Sequence, residues 1–201
     1  MEFLFPLLIV VVGFRAIKGR EERRRIQLLG RYLEQYRIEK LMETLLEGYL
    51  RALGEEDAER RQAIWSMLKS AEDDLRDQVK RLAADFSKVW SDHTLVSILP
   101  VALPYADKLF PRATFDMRHA LEIHAQGIAT VVAAGAQRAD RDKAYMLTAE
   151  ILLLQHTCHW FCRSRAVATA RMLRAHQTHH AQVIAAVSPE TREAYQRLLA
   201  R

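Results

Sequence analysis

Two cysteines and two histidines are the first residues whose types and spacing suggest chemistry. Cys158 and Cys162 are four residues apart, as are His176 and His180, so each pair would share one face of an α-helix. Two thiolates and two imidazoles suit zinc. However, we expect one unbroken helix over residues 143–187, which separates Cys162 from His176 by about 21 Å along its axis. Because zinc–ligand bonds are about 2 Å long, a site would need a break in this helix or a second chain, and we predict no metal site.

Histidines are concentrated on two predicted helices, and seven of the eight lie between residues 119 and 180. Facing helices with histidines can hold haem or a metal ion. Yet the Glu-x-x-His signature of helical carboxylate sites and the Cys-x-x-Cys-His haem motif are both absent. We therefore predict no cofactor and keep a metal- or haem-binding helical protein as the alternative function. Its candidate ligands are His119, His156, His159, Cys158, Cys162, His176 and His180.

No catalytic motif is recognisable in the chain. A Gly-rich phosphate loop, Gly-x-Ser-x-Gly and His-Glu-x-x-His are all missing. His159 and Cys162 could touch across one helical turn, but buried packing thiols explain the cysteines more simply. Two cysteines in a helical pattern also suggest reduced thiols rather than a disulfide framework. We predict that the protein is not an enzyme.

The segment FLFPLLIVVVGFRAIKGREERRR, residues 3–25, joins an apolar stretch to a basic cluster. A cleaved secretory signal has the opposite charge order, so we expect the segment to be retained. Residues 3–17 would cover about 22 Å as a helix, which is short for a membrane span of about 20 residues. Snorkelling of Arg15 and Lys18 and local thinning of the bilayer can compensate, and burial in a protein groove is the other interpretation. We predict a single N-terminal span, with contacts from Phe3, Leu4, Phe5, Leu7, Leu8, Ile9, Val10, Val11, Val12, Phe14, Arg15, Lys18 and Arg20.

The rest of the chain is predicted to be helical. Leu, Ala, Arg and Glu dominate, and no alternating β-branched runs suggest a sheet. We predict an all-α protein: a membrane anchor with a basic flank at 1–25, a long antiparallel, coiled-coil-like hairpin at 26–90 turning at Gly54, a packed Pro-containing connector at 91–114, and a helical bundle at 115–201. Ser188 and Pro189 should begin a short closing helix.

Residues 151–189 contain no acidic residue, and their arginines form a candidate basic interaction surface. Poor aromatic interleaving and the lack of a helix-turn-helix signature disfavour nucleic acid. We expect this surface to pair mainly with Glu72, Asp73, Asp74 and Asp77 of the hairpin. The surface consists of Arg163, Arg165, Arg171 and Arg174.

These features favour a membrane-tethered helical scaffold or accessory subunit acting through protein–protein contacts or self-association, without catalysis. The positive-inside rule places residues 15–25 and everything after them in the cytoplasm. A weaker third hypothesis is an effector whose N-terminal helix disrupts membranes when the chain oligomerises.

Overall fold

The architecture is a bundle of helices extended by one long N-terminal helix. The computed structural model describes residues 4–100, 103–134 and 139–200, and its predominantly helical content confirms the all-α class. In chain order the elements are α1 (Leu4–Leu33), α2 (Ile38–Gly54), α3 (Ala58–Phe86), β1 (Leu95–Ser97), α4 (Ala106–Leu109), β2 (Thr114–Asp116), α5 (Met117–Ala133), α6 (Asp140–Cys162), α7 (Arg165–His176), α8 (His180–Ala186) and α9 (Pro189–Leu199).

Helix α1 runs without interruption from Leu4 to Leu33, so no structural break separates the predicted anchor from the residues after 25. In the part of the chain that the structure describes, no helix combines the length and the apolar character needed to cross a membrane. The predicted N-terminal span is therefore not supported. The physical reason is that Arg15, Lys18 and Arg20 interrupt the apolar stretch before it reaches the required length.

The antiparallel hairpin consists of α2 and α3, which pack together along their length. It turns directly after Gly54, as predicted, and Asp57 caps α3 by accepting a 2.8 Å hydrogen bond from the backbone N–H of Arg60. Residues 26–33 do not belong to the hairpin, because they form the last two turns of α1. A turn near Tyr36 separates α1 from α2.

The connector contains short helical turns and a small antiparallel sheet. Strands β1 and β2 pair with Val96 opposite Phe115, and both of these side chains are buried. The expectation that the chain has no sheet is therefore wrong at this point, since strands of three residues are too short to show an alternating pattern. The Trp160 indole N–H of α6 donates a 2.9 Å hydrogen bond to the Ser97 carbonyl, which fastens the sheet to the bundle.

The helix predicted over residues 143–187 is in fact three helices, α6, α7 and α8. After Cys162, the Ser164 side chain caps α7 by accepting a 3.3 Å hydrogen bond from the backbone N–H three residues later. After His176, Gln177 adopts a left-handed backbone conformation with φ of 51°. Neither break contains Gly or Pro, so no clear stop signal for a helix is present there. The breaks let α7 and α8 fold back against α6.

Helix α6 is central to the core, because its surface is apolar nearly all round. It packs against α1, α2, α5, α7 and α8. Leu147, Ile151, Leu154 and Phe161 are buried along it. Helix α9 closes the bundle against α5, and its predicted start at Ser188 is confirmed by a 3.3 Å hydrogen bond from the Thr191 N–H to the Ser188 hydroxyl.

Candidate interaction surfaces

The first candidate surface is the apolar N-terminal part of α1, residues 8–17, which we call the α1 tail. Leu8, Ile9 and Val12 expose 59, 56 and 57 % of their surface, and Val11, Phe14 and Ile17 expose 45, 42 and 43 %. Six large apolar side chains on one short stretch form a patch that normally marks a contact with protein or membrane. Among the other predicted lipid contacts, Phe3 and the side chains of Leu4, Phe5, Leu7 and Val10 lie outside what the structure describes.

Basic residues lie near the end of the tail and beyond it along the same helix. Arg15, Arg20 and Arg23 are exposed, whereas the ammonium group of Lys18 lies 3.8 Å from the Glu22 carboxylate one turn later. The tail is therefore an apolar segment with free positive charge at its base.

One ion pair and one hydrogen bond fasten α1 to the bundle within this basic segment. Arg25 pairs with Glu21 at 2.8 Å and donates a 3.2 Å hydrogen bond to the Leu95 carbonyl of β1. Glu22 pairs with Arg163 at 2.8 Å. These contacts hold the second half of α1 against the bundle and leave the tail projecting from it.

The second candidate surface is a groove of about 1330 Å³ that we call the α2–α6 groove. Its walls come from the end of α1, from α2, from α6 and from the end of α7. Apolar side chains dominate the lining, and three of them remain unusually exposed: Leu50 at 73 %, Leu53 at 49 % and Tyr145 at 68 %. An open apolar channel beside a helix of four turns has the shape that binds another helix.

One wall of the groove carries an acidic ridge formed by Glu39, Glu43 and Glu47 of α2. The four-residue spacing places the three exposed carboxylates on one face of the helix. Lys40 is the single basic residue among the described lining residues. The groove therefore favours a ligand that is apolar and positively charged.

The opposite wall contains the cysteines and two of the histidines that the sequence analysis singled out. Cys158, His159, Cys162 and His176 all line it, because the break between α6 and α7 folds His176 back over α6. His176 Nε2 lies 3.1 Å from the side-chain oxygen of Gln155. Burial raises the pKa of the Cys158 thiol, and it raises that of Cys162 to about 11, so both thiols are protonated at neutral pH and are poor nucleophiles.

A metal site does not form from these residues. Within the described ranges, no three His, Cys, Asp or Glu side chains converge in a way that could hold an ion. His156 and His180 meet as stacked rings with centroids 3.9 Å apart and planes 18° apart. Ring nitrogens bind metals in the plane of the imidazole, so stacked rings do not aim at a common ion. His119 is exposed on α5, away from this pair.

The remaining histidine of interest belongs to a buried polar network between α5, α6 and α9. His124 Nε2 lies 2.9 Å from the Thr157 hydroxyl, which lies 3.1 Å from the Tyr195 hydroxyl. Burial lowers the pKa of His124 to about 3 and raises that of Tyr195 to about 12. Both groups are neutral at pH 7, so this network orients helices and carries no charge.

Comparison with protein-family models, curated proteins and solved structures finds no match for this chain.

The predicted basic surface is divided between internal contacts and solvent. Arg163 pairs with Glu22, and Arg165 lies over the Trp160 ring at 5.4 Å. Arg171 and Arg174 are exposed on α7.

The expected pairing with the acidic residues of α3 is wrong. Glu72 instead pairs with Lys143 at 2.6 Å, and Asp73 and Asp77 pair with Arg76 of their own helix. Sequence position alone could not show that α3 lies against α5 and the start of α6.

The acidic ridge was missed by the sequence analysis. Its signal was available, because Glu39, Glu43 and Glu47 recur every four residues beside the apolar face of α2. What the sequence did not reveal is that α6 and α7 stand opposite this ridge and turn a helix face into a groove.

Proposed function

We propose that this chain is a non-enzymatic, membrane-associated helical scaffold or accessory subunit. In this proposal the α1 tail enters the lipid on the cytoplasmic side and the bundle contacts other proteins. The observation that carries the proposal is the exposure of Leu8, Ile9 and Val12, each of which presents more than half of its apolar surface to solvent. Exposed apolar surface of this kind favours transfer out of water by roughly 25 cal/mol per Å².

The length of the tail supports insertion from one side. The helix itself begins at Leu4, and residues 4–17 extend about 21 Å, which is shorter than the roughly 30 Å hydrocarbon core of a bilayer. This part of α1 would thus enter the membrane without crossing it, or it would complete its path beside the helices of a larger assembly.

The charges at the base of the tail support the same orientation. Arg15, Arg20 and Arg23 are exposed where the helix would leave the lipid. Each basic residue near an anionic surface contributes about 1 kcal/mol. Binding should therefore be stronger on vesicles that contain anionic lipid and should weaken with salt.

Vesicle flotation tests this proposal. We expect the unmodified chain to float with vesicles containing phosphatidylserine, and the variant Ile9→Asp with Val12→Asp to remain at the bottom of the gradient, because charged side chains on the tail oppose insertion. Met67→Asp, at a position that is 75 % exposed on α3, is the matched control and should float. Failure of the unmodified chain to float, or equal flotation of the tail variant, would refute the proposal.

A further inference from the structure

The α1 tail and the α2–α6 groove lie on one chain and are chemically complementary. The tail is apolar with free arginines, and the groove is apolar with an acidic ridge. We propose that the groove of one copy binds the α1 tail of a second copy. This inference deepens the proposed function, because it states where the tail lies when no membrane is present.

The tail cannot reach the groove of its own chain. Ile26 and Leu29 of α1 already form part of the groove wall, and α1 is one continuous helix. Val12 therefore lies about 21 Å along the helix axis from Ile26, given a rise of 1.5 Å per residue. Filling its own groove would require α1 to break and reverse. A tail from another copy meets no such obstacle.

The negative charge of the groove favours a helix with basic residues over other apolar ligands. The exposed carboxylates of Glu39, Glu43 and Glu47 would repel a fatty acid or an anionic lipid headgroup. They would attract Arg15 and Arg20, which are exposed at and just beyond the tail. Like-charge repulsion against wrong ligands and attraction for the right one both contribute to specificity.

The length of the tail is also compatible with the length of the groove. The tail is about 15 Å long. The groove follows α2 from Glu39 to Leu53, which is about 21 Å at the same rise per residue. Leu46, Leu50 and Leu53 recur at four- and three-residue spacing along this wall, which is the spacing that packs against an apolar helix face.

Tail-in-groove binding joins two different surfaces of identical chains. Such a heterologous contact produces a ring if the rotation between copies closes, and an open chain of copies if it does not. The contact therefore predicts assembly in which every copy gives a tail to one neighbour and accepts a tail from another.

Complementation between two defective variants tests this contact in lipid-free buffer by analytical ultracentrifugation. Leu50→Lys places a positive charge in the groove at a position that is 73 % exposed, and Val12→Asn places an uncharged polar amide on the tail at a position that is 57 % exposed, so that the two defects do not attract each other. We expect the unmodified chain to form concentration-dependent oligomers. Each variant alone should associate at least about tenfold more weakly, as for a central contact residue.

The equimolar mixture is the decisive sample. The Leu50→Lys copy keeps an intact tail and the Val12→Asn copy keeps an intact groove, so the mixture should form a one-to-one dimer that grows no further. Met67→Lys, exposed on α3, is the control and should assemble like the unmodified chain. Circular dichroism confirms that each variant is as helical as the unmodified chain.

Three results would each overturn the contact: an unmodified chain that is monomeric at every soluble concentration, unchanged assembly of Leu50→Lys, or a mixture that stays monomeric. Flotation of Leu50→Lys separates this inference from the proposed function, since that variant retains the tail. Flotation without the mixed dimer refutes the groove contact, and the mixed dimer without flotation refutes the membrane role.

Discussion

At the scale of single residues, Gly127 lies where three helices approach one another closely. A Cβ atom at this position would overlap the Thr191 hydroxyl and would lie 2.6 Å from a carboxylate oxygen of Glu150. Both neighbours are buried, so neither can move away freely. Gly127 therefore allows α5 to approach α6 and α9 closely.

We predict that Gly127→Ala lowers the free energy of unfolding by about 1–3 kcal/mol, the usual cost of overpacking a core. Gly30→Ala is the matched control, because nothing lies within 4 Å of a Cβ atom there, and it should raise stability by up to about 1 kcal/mol through helix propensity. Urea unfolding followed by circular dichroism measures both changes. Equal stability of Gly127→Ala and the unmodified chain would contradict the close packing.

The buried ion pair between Glu72 and Lys143 is a second feature at the scale of single residues. The carboxylate and ammonium groups lie 2.6 Å apart with side-chain exposures of 3 and 10 %, and the Tyr49 hydroxyl donates a 2.7 Å hydrogen bond to the same carboxylate. Removing one partner leaves a buried charge without its counter-ion.

Lys143→Met should therefore destabilise the protein by about 3–5 kcal/mol, whereas Glu72→Met combined with Lys143→Met should cost less. Thermal unfolding of the two variants measures the difference. A double variant that is less stable than Lys143→Met would contradict this explanation. It would show that the cost of Lys143→Met does not come from leaving the Glu72 carboxylate buried without a counter-ion.

At the scale of elements, buried histidines hold α8 and α9 against α5 and α6. Burial lowers the pKa of His156 to about 3, and the neighbouring His180, Arg165, His159 and His124 add to this effect. Burial, together with Arg165, lowers the pKa of His180 to about 4. Stacked rings that are 3.9 Å apart tolerate two neutral imidazoles and resist protonation.

Acid should therefore destabilise the fold between about pH 6.5 and pH 4. In this window the unfolded chain binds protons at His124, His156 and His180 that the folded chain does not, so stability falls as pH falls, by up to about 1.4 kcal/mol per pH unit for each histidine. Glu150 acts in the opposite sense, because burial raises its pKa and its contribution is lost as pH rises above about 4.5. The three histidines outweigh the one carboxyl group, so the net stability of the fold decreases in acid.

Urea unfolding at several pH values measures this slope. His180→Gln should reduce the slope by about one proton. A free energy of unfolding that does not change from pH 6.5 to pH 4 would contradict neutral burial of the three imidazoles.

Local sequence signals predicted some of these elements and not others. The α2–α3 hairpin and the start of α9 were predictable, because Gly54 and Ser188 are strong local signals. The breaks around α7 were not, since Ser164 is a weak signal inside a helical pattern and a left-handed conformation is unusual for Gln, so Gln177 does not signal a helix end. Missing those breaks hid the approach of His176 to Cys158 and Cys162 along one wall of the groove.

At the scale of the whole molecule, the α1 tail could be predicted from local composition, whereas the α2–α6 groove could not. The groove requires α1 and α2 to meet α6 and α7, which are distant from them in the chain, and no local pattern encodes that meeting. Sequence therefore identified the apolar segment and its basic flank, while the structure supplied a surface of matching chemistry.

The unbroken course of α1 has a mechanical consequence. A helix without a hinge acts as a stiff lever, so whatever holds residues 8–17 also sets the orientation of the bundle. Ile26 at the groove wall lies nine residues beyond Ile17, a stand-off of about 14 Å. With its tip in a bilayer, the protein would present the mouth of the groove at a constant height and tilt above the lipid.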